Sequence, residues 1–229
     1  MALAGHAFLA LWNDIARTRE PEYDRWHTKE HVPERVAVEG FLGARRYVNR
    51  GREAHRYFTL YEVTELAVFE HPEYLDLVQH PTPWSASMRP DFENFLRATC
   101  SIRQSRGEGI GAALGILAFA QMSDTGLDSL LEAPGVIGCH VGEGSGAAPP
   151  MPWSRQPASN APVRAFDRVL LIEATDRALA EAALSRARNV LRLDALPRDF
   201  GNDVFDLAFA FPGHDTSARR AHRRSHWDK

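Results

Sequence analysis

The chain has 229 residues, 44% hydrophobic and 25% charged, with a formal net charge of -3. That is enough apolar material for one large core or two small ones, and the near-balanced charge excludes a global pull toward nucleic acid or an anionic membrane surface. Two distant cysteines, Cys100 and Cys139, without metal-type spacing, and no apolar run near the ~20 residues of a membrane span, point to a cytoplasmic protein rather than a disulfide scaffold or membrane protein.

The apolar start carries no basic region and runs into Asn13, Asp14 and Arg17, so Ala7 to Asn13 reads as a first strand and not as a signal peptide. Glu20 to Val36 reads as a helix, with Pro21 where a first turn tolerates it and Val32-Pro33 as its stop. Phe41 to Asn49 and Arg56 to Thr64 read as strands joined by a hairpin turn at Arg50-Gly51-Arg52-Glu53. Glu65 to Val78 and Pro90 to Arg97 are predicted helical on either side of a Pro-rich connection, His80 to Trp84, and Thr99 to Ser105 closes as a strand. The second half predicts strands at Ala113 to Gln121, Val136 to Val141, Arg168 to Thr175 and Val204 to Phe211, with helices at Thr125 to Glu132 and Arg177 to Leu191. Each half is then β-α-β-β-α-β, the ferredoxin-like unit.

Two stretches repeat in the same order. Gly40-Phe41-Leu42-Gly43-Ala44-Arg45 echoes Gly135-Val136-Ile137-Gly138-Cys139-His140, and Leu60-Tyr61-Glu62-Val63-Thr64 echoes Leu171-Ile172-Glu173-Ala174-Thr175. Their offsets differ, and a Gly/Ala/Ser/Pro-rich stretch from Gly142 to Pro162 has the composition of the loop that would absorb the difference. A ferredoxin-like sheet has helices on one face only, so a second copy can cover the other. The expected fold is α+β: two ferredoxin-like βαββαβ repeats packed sheet-to-sheet as a pseudo-dimeric α/β barrel. Residues 1–107 would form the first repeat and carry the site, 108–212 a degenerate second repeat, and 213–229 a polar basic tail.

Tyr23-Asp24-Arg25-Trp26-His27-Thr28-Lys29-Glu30-His31-Val32-Pro33-Glu34, followed by Val38-Glu39-Gly40-Phe41 and Arg45-Arg46-Tyr47, resembles the dimeric α/β-barrel superfamily and in particular its EthD-like group. There a helix bearing W-[HY]-x-x-E-H-[LV]-P precedes a Gly-Phe strand start and an Arg-Arg-Tyr strand. His80-Pro81-Thr82-Pro83-Trp84, running on to Pro90 through Arg97, also resembles a segment of bacterial members. The motifs cover about the first 100 residues. The resemblance implies a fold more than a reaction, because the superfamily includes cofactor-free monooxygenases, lactone isomerases, polyketide cyclases, haem proteins and proteins without known activity.

Tyr23, Trp26, His27, Glu30 and His31 fall at helical spacings of three and four and share one helix face. Trp26 suits core packing as well as a pocket wall. Two histidines one turn apart supply groups that move protons near neutrality, so His31 and His27 are the candidate acid/base pair, with Tyr61 or Tyr47 to polarise an oxygen. His27-x-x-Glu30-His31 also spells the inverted zinc-peptidase pattern, but no third ligand follows and Pro33 interrupts the helix, so no metal site is expected. Candidate substrate-binding residues are Trp12, Trp26 and Tyr47, with His80, Trp84, Arg89 and Arg97 on or near the Pro-rich connection. Strand alternation leaves open which faces meet the helices.

No phosphate loop, nucleophile elbow or dinucleotide fingerprint is present, so no cofactor is expected. The functional expectation is a cofactor-independent enzyme of the monooxygenase, isomerase or cyclase type acting on an aromatic, lactone or polyketide-like small molecule. The alternatives are a ligand-binding or stress-related protein without turnover, and a haem protein. A small molecule is the expected partner, with a homodimer possible and neither nucleic acid nor membrane involved.

Overall fold

All eight segments with strand-like patterning are strands in the computed structural model, which describes residues 3–119, 126–145, 166–191 and 202–213. They are β1 (Ala7–Ile15), β2 (Phe41–Val48), β3 (Tyr57–Val63), β4 (Phe92–Gly107), β5 (Ala113–Phe119), β6 (Val136–Gly144), β7 (Arg168–Ala174) and β8 (Asp203–Pro212). They close into one barrel in the order β1-β3-β2-β8-β5-β7-β6-β4. The first four strands thus run β4-β1-β3-β2 and the last four β8-β5-β7-β6, joined by antiparallel β2–β8 and β4–β6 pairs. The sheets meet edge to edge, because each open edge finds its hydrogen-bond partners on the other and the closed barrel leaves none unpaired.

Alternation along the strands sorts residues between two apolar environments. Phe8, Ala10, Trp12, Tyr47, Phe58 and Leu60 fill the barrel interior together with Leu114, Ile116, Leu171 and Phe205. Leu9, Phe41, Ala44, Tyr61 and Val63 point outward and are covered by helices. Every residue of β3 is buried, because this strand has an apolar layer on both sides. One polar group spans the barrel: the Arg45 guanidinium reaches Glu173 Oε1 at 2.5 Å and Glu62 Oε2 at 3.6 Å. The Gly5 N–H donates to Glu62 and the Gly111 N–H to Glu173. Cys100 and Cys139 are free, buried thiols.

The first helical layer is α1 (Glu20–Trp26), a π turn (His27–His31) and α2 (Val32–Val36), one continuous rod over the expected range. Pro33 does not end it. Proline has no N–H to give to the Lys29 carbonyl and its ring crowds that carbonyl; the wider π turn, with the Val32 N–H bonded to His27 O, removes the conflict. A 3₁₀ turn (Leu66–Glu70), α3 (Pro72–Gln79) and α4 (Pro83–Met88) follow, so the Pro-rich connection is partly helical, with prolines in first turns.

The helix expected from Pro90 to Arg97 is instead a 3₁₀ turn (Arg89–Asp91) and the start of β4. Phe92, Phe95 and Leu96 mimic helical spacing because a bulge inserts a residue: Ile15 pairs with Phe92 and Trp12 with Leu96, with Asn94 at φ 47 between them.

In the second half, α5 (Leu127–Leu131) is short, and α6 (Arg177–Val190) lays Ala180, Ala183, Leu184 and Ala187 on the sheet. Gly142 to Gly144 belongs to β6 and not to a loop, and Ser145 bonds to Thr99; residues 146–162 of the expected insertion and the tail beyond Gly213 lie outside the described residues. No helix among the described residues is long and apolar enough to cross a membrane.

Candidate functional site

Between the first helical layer and the outer face of β1, β3 and β4 lies a cavity of ≈50 Å³. Its floor is Leu9, Leu11, Asn13 and Tyr61. Its roof is Tyr23, Trp26, His27, His31 and Arg35, and Tyr74, Val78, Phe92, Phe95 and Arg97 close its side. Leu11, Phe92, Phe95 and Arg97 are only half-buried, so that side is the approach from solvent.

The π turn brings both histidines to the roof. Their rings lie 5.4 Å apart, and His31 stacks on Trp26 at 4.4 Å. The His27 Nε2 faces Thr59 Oγ1 at 3.4 Å, while the Nδ1 atoms of His27 and His31 and the Tyr61 hydroxyl are buried with no hydrogen-bond partner. Buried polar atoms are ordinarily paired, so three unmet ones on one cavity are unusual.

The electrostatics are one-sided. Burial, then the nearby Arg46 and His31, hold the His27 imidazole well below its ordinary range. Burial, then Arg35 and Arg89, do the same to His31. Burial pushes the Tyr61 phenol up. At neutral pH the cavity therefore presents two neutral imidazoles and a neutral phenol. Arg46 is a wedge between helix and sheet: its guanidinium sits 4.7 Å from both the Tyr23 and Tyr57 rings and pairs with Asp24 at 2.5 Å. The Tyr23 hydroxyl donates to Asn13 Oδ1 at 3.1 Å, and burial raises its pKa to about 12.

Five of the sequence candidates meet at this cavity: His27, His31, Tyr61, Trp26 and Arg97. Trp12 and Tyr47 are on the opposite side of the sheet, inside the barrel, where the Tyr47 hydroxyl donates to Glu173. His80 is exposed and paired with Asp76 at 2.7 Å. Trp84 donates its ring N–H to Glu22, and Arg89 donates to the Val78 carbonyl, its charge felt at His31 but its side chain off the lining. Glu30 faces away and clamps α4, accepting from Thr82 and Ser85, while Ser85 accepts from the Trp26 ring N–H. Arg35, Tyr74, Phe92 and Phe95 were not anticipated. Arg35, four residues after His31, was the one that helical spacing would have reached.

Among the described residues no three His, Cys, Asp or Glu side chains are grouped to hold a metal.

No family model matches the chain, and no curated protein matches it in sequence. Solved structures match its fold. An anthrone oxidase-like protein superposes with a TM-score of 0.56 at 10% identity, over 94% of this chain and 97% of its own. A protein provisionally assigned as a monooxygenase from Fusobacterium nucleatum gives 0.54 at 10% identity, over 92% and 96%. The chlorite dismutase of Candidatus Nitrospira defluvii gives 0.52 at 9% identity, over 93% and 94%. The shared fold is that of the dimeric α/β-barrel proteins.

Proposed function

We propose that the protein is a cofactor-independent enzyme that removes a proton from an enolisable aromatic, lactone or polyketide-like small molecule. The observation that carries this is the convergence of two unpaired imidazole nitrogens and an unpaired phenol on one largely apolar cavity. A neutral imidazole is a competent base at pH 7, and a neutral phenol can donate to the oxygen on which negative charge develops. His31, the more accessible of the pair, takes the proton; His27 orients the ligand; Tyr61 holds the oxygen; Trp26 forms the wall. The resulting enolate is the intermediate common to isomerisation, cyclisation and direct reaction with dioxygen, so the three reaction types share this first step.

A haem protein is the alternative reading, and absorbance of the purified protein near the haem band tests it.

The same proposal takes the helix motif as EthD-like and the two halves, 1–107 and 108–212, as tandem repeats. In support, Gly40 and Gly135 both have positive φ, both accept from the Thr N–H that ends the facing strand (Thr64 and Thr175), and both precede a bulge at the next glycine.

The test follows α-proton exchange of 2-tetralone and related aryl ketones and lactones in D₂O by NMR. Exchange should exceed that in buffer, and His31→Ala should cut it by roughly 10²–10⁴-fold, with a smaller loss for His27→Ala and Tyr61→Phe. Exchange no faster than buffer across the panel overturns the enzyme and leaves a ligand-binding protein.

A further inference from the structure

We propose that the cavity selects an aromatic carboxylate, and that Arg97 anchors its anionic end. The inference rests on the reading of the cavity as a ligand site, but not on any turnover there. Arg97 is carried by β4, immediately after the bulge that brings Phe95 to the same side. Its Nη2 donates to the Tyr74 hydroxyl at 3.1 Å, whereas its Nε and Nη1 are buried and donate to no protein atom. No carboxylate lies within ion-pair distance of it among the described residues, and the cavity lining contains neither Asp nor Glu.

The other cation of the lining is already balanced: Arg35 pairs with the buried Glu34 at 3.1 Å. Burial disfavours the charged form of both histidines, so neither competes with Arg97 for an anion. What remains is one uncompensated guanidinium at the half-buried mouth of an otherwise aromatic and aliphatic pocket.

A charged donor withdrawn from water without an acceptor is costly, and an anion that meets it recovers that cost. Guanidinium and carboxylate are matched in shape and charge, and because Tyr74 accepts from Arg97, its own hydroxyl hydrogen is left for the same oxyanion. Phe92, Phe95 and Tyr74, which line the same cavity as Arg97, suit a flat ring attached to that carboxylate. A neutral ester of the same shape could accept a hydrogen bond from Arg97 but would leave its charge uncompensated, so the pocket discriminates by charge.

The test uses benzoate and 2-naphthoate, each against its methyl ester, with affinities from calorimetry or ligand-observed NMR on the full-length protein. The acid should bind at least tenfold tighter than its ester. Arg97→Met should bring that ratio to about one while leaving ester affinity within a few-fold, and Arg97→Lys should keep part of the preference and serve as the folding control. Raising salt should weaken the acid and not the ester. Equal binding of acid and ester, a preference that survives Arg97→Met, or no binding of either acid overturns the inference. An acid preference in a protein that catalyses no proton exchange sustains it while removing the enzyme; exchange confined to uncharged substrates, with no acid preference, does the reverse.

Discussion

In the first half of the molecule the helical layer meets the sheet through Tyr23, Trp26, His27 and His31, and a cavity with unmet polar atoms remains between them. In the second half the layer meets an equivalently ordered sheet through Ala180, Ala183, Leu184 and Ala187, which are buried against it among the described residues. The strand orders match, so the backbone does not make the difference. Large polar side chains on a π turn hold one helix off its sheet, whereas small apolar ones let the other settle onto it; Gly115 even leaves room for Leu184, whose side chain lies 2.8 Å from where a Cβ would stand. Space for a ligand lies on the side where close packing was given up.

The joint between the halves should be the most sensitive point. Arg45 and His140 occupy the same place in the two repeated motifs, but only Arg45 is a cation, and it alone faces Glu62 and Glu173 inside the barrel. Removing one partner of a buried ion pair strands the other, so Arg45→Met should cost roughly 3–5 kcal/mol in urea unfolding. A loss below ~1 kcal/mol would show the barrel is held by packing alone. Volume separates the halves next. Gly115→Ala should cost about 1–3 kcal/mol, because the new methyl must displace Leu184. Val78→Leu, which points into the cavity, should be near neutral in stability and should weaken ligand binding. Equal costs for the two substitutions would mean that the cavity is not open space.

Most of the barrel could be read from hydrophobic alternation and from the repeated Gly-x-x-Gly motif, because strands with an apolar layer on both sides carry long, β-rich apolar runs. The same double burial hid the site's floor. β3 is buried throughout, so nothing in Tyr57 to Val63 says that Tyr61 faces a helix while Leu60 faces the barrel interior, and for the same reason Trp12 and Tyr47, which face the interior, could be grouped with Tyr61 as candidates. The start of β4 was misread because its bulge puts Phe92 and Phe95, three apart, on one side, as a helix would. His27 and His31 were legible as a pair, but the π turn that aims them depends on how Pro33 is accommodated, a backbone compromise that no pattern of residue types spells out.

The histidines offer the finest comparison of the halves. His27 and His31 in the first half are held well below their ordinary range by burial and then by neighbouring charge; His140 in the second is held down to about 4 by burial and then by Arg45. In each case the folded pKa is depressed, so the folded protein refuses a proton that the unfolded chain accepts below about pH 6.5. Stability from these groups is therefore complete above pH 6.5 and declines as pH falls through the window down to the folded value. The slope should be at most about 1.4 kcal/mol per pH unit for each histidine. Unfolding free energies measured between about pH 7.5 and 3.5, a span of about four units set by those values, should show His27→Leu flattening the decline by close to one histidine's share. His140→Leu should flatten it only down to about pH 4, where the native residue itself takes up its proton. Parallel curves for His27→Leu and the unchanged protein would mean that the folded protein takes up a proton on His27 as readily as the unfolded chain does, and that the imidazole is hydrated rather than held neutral by burial.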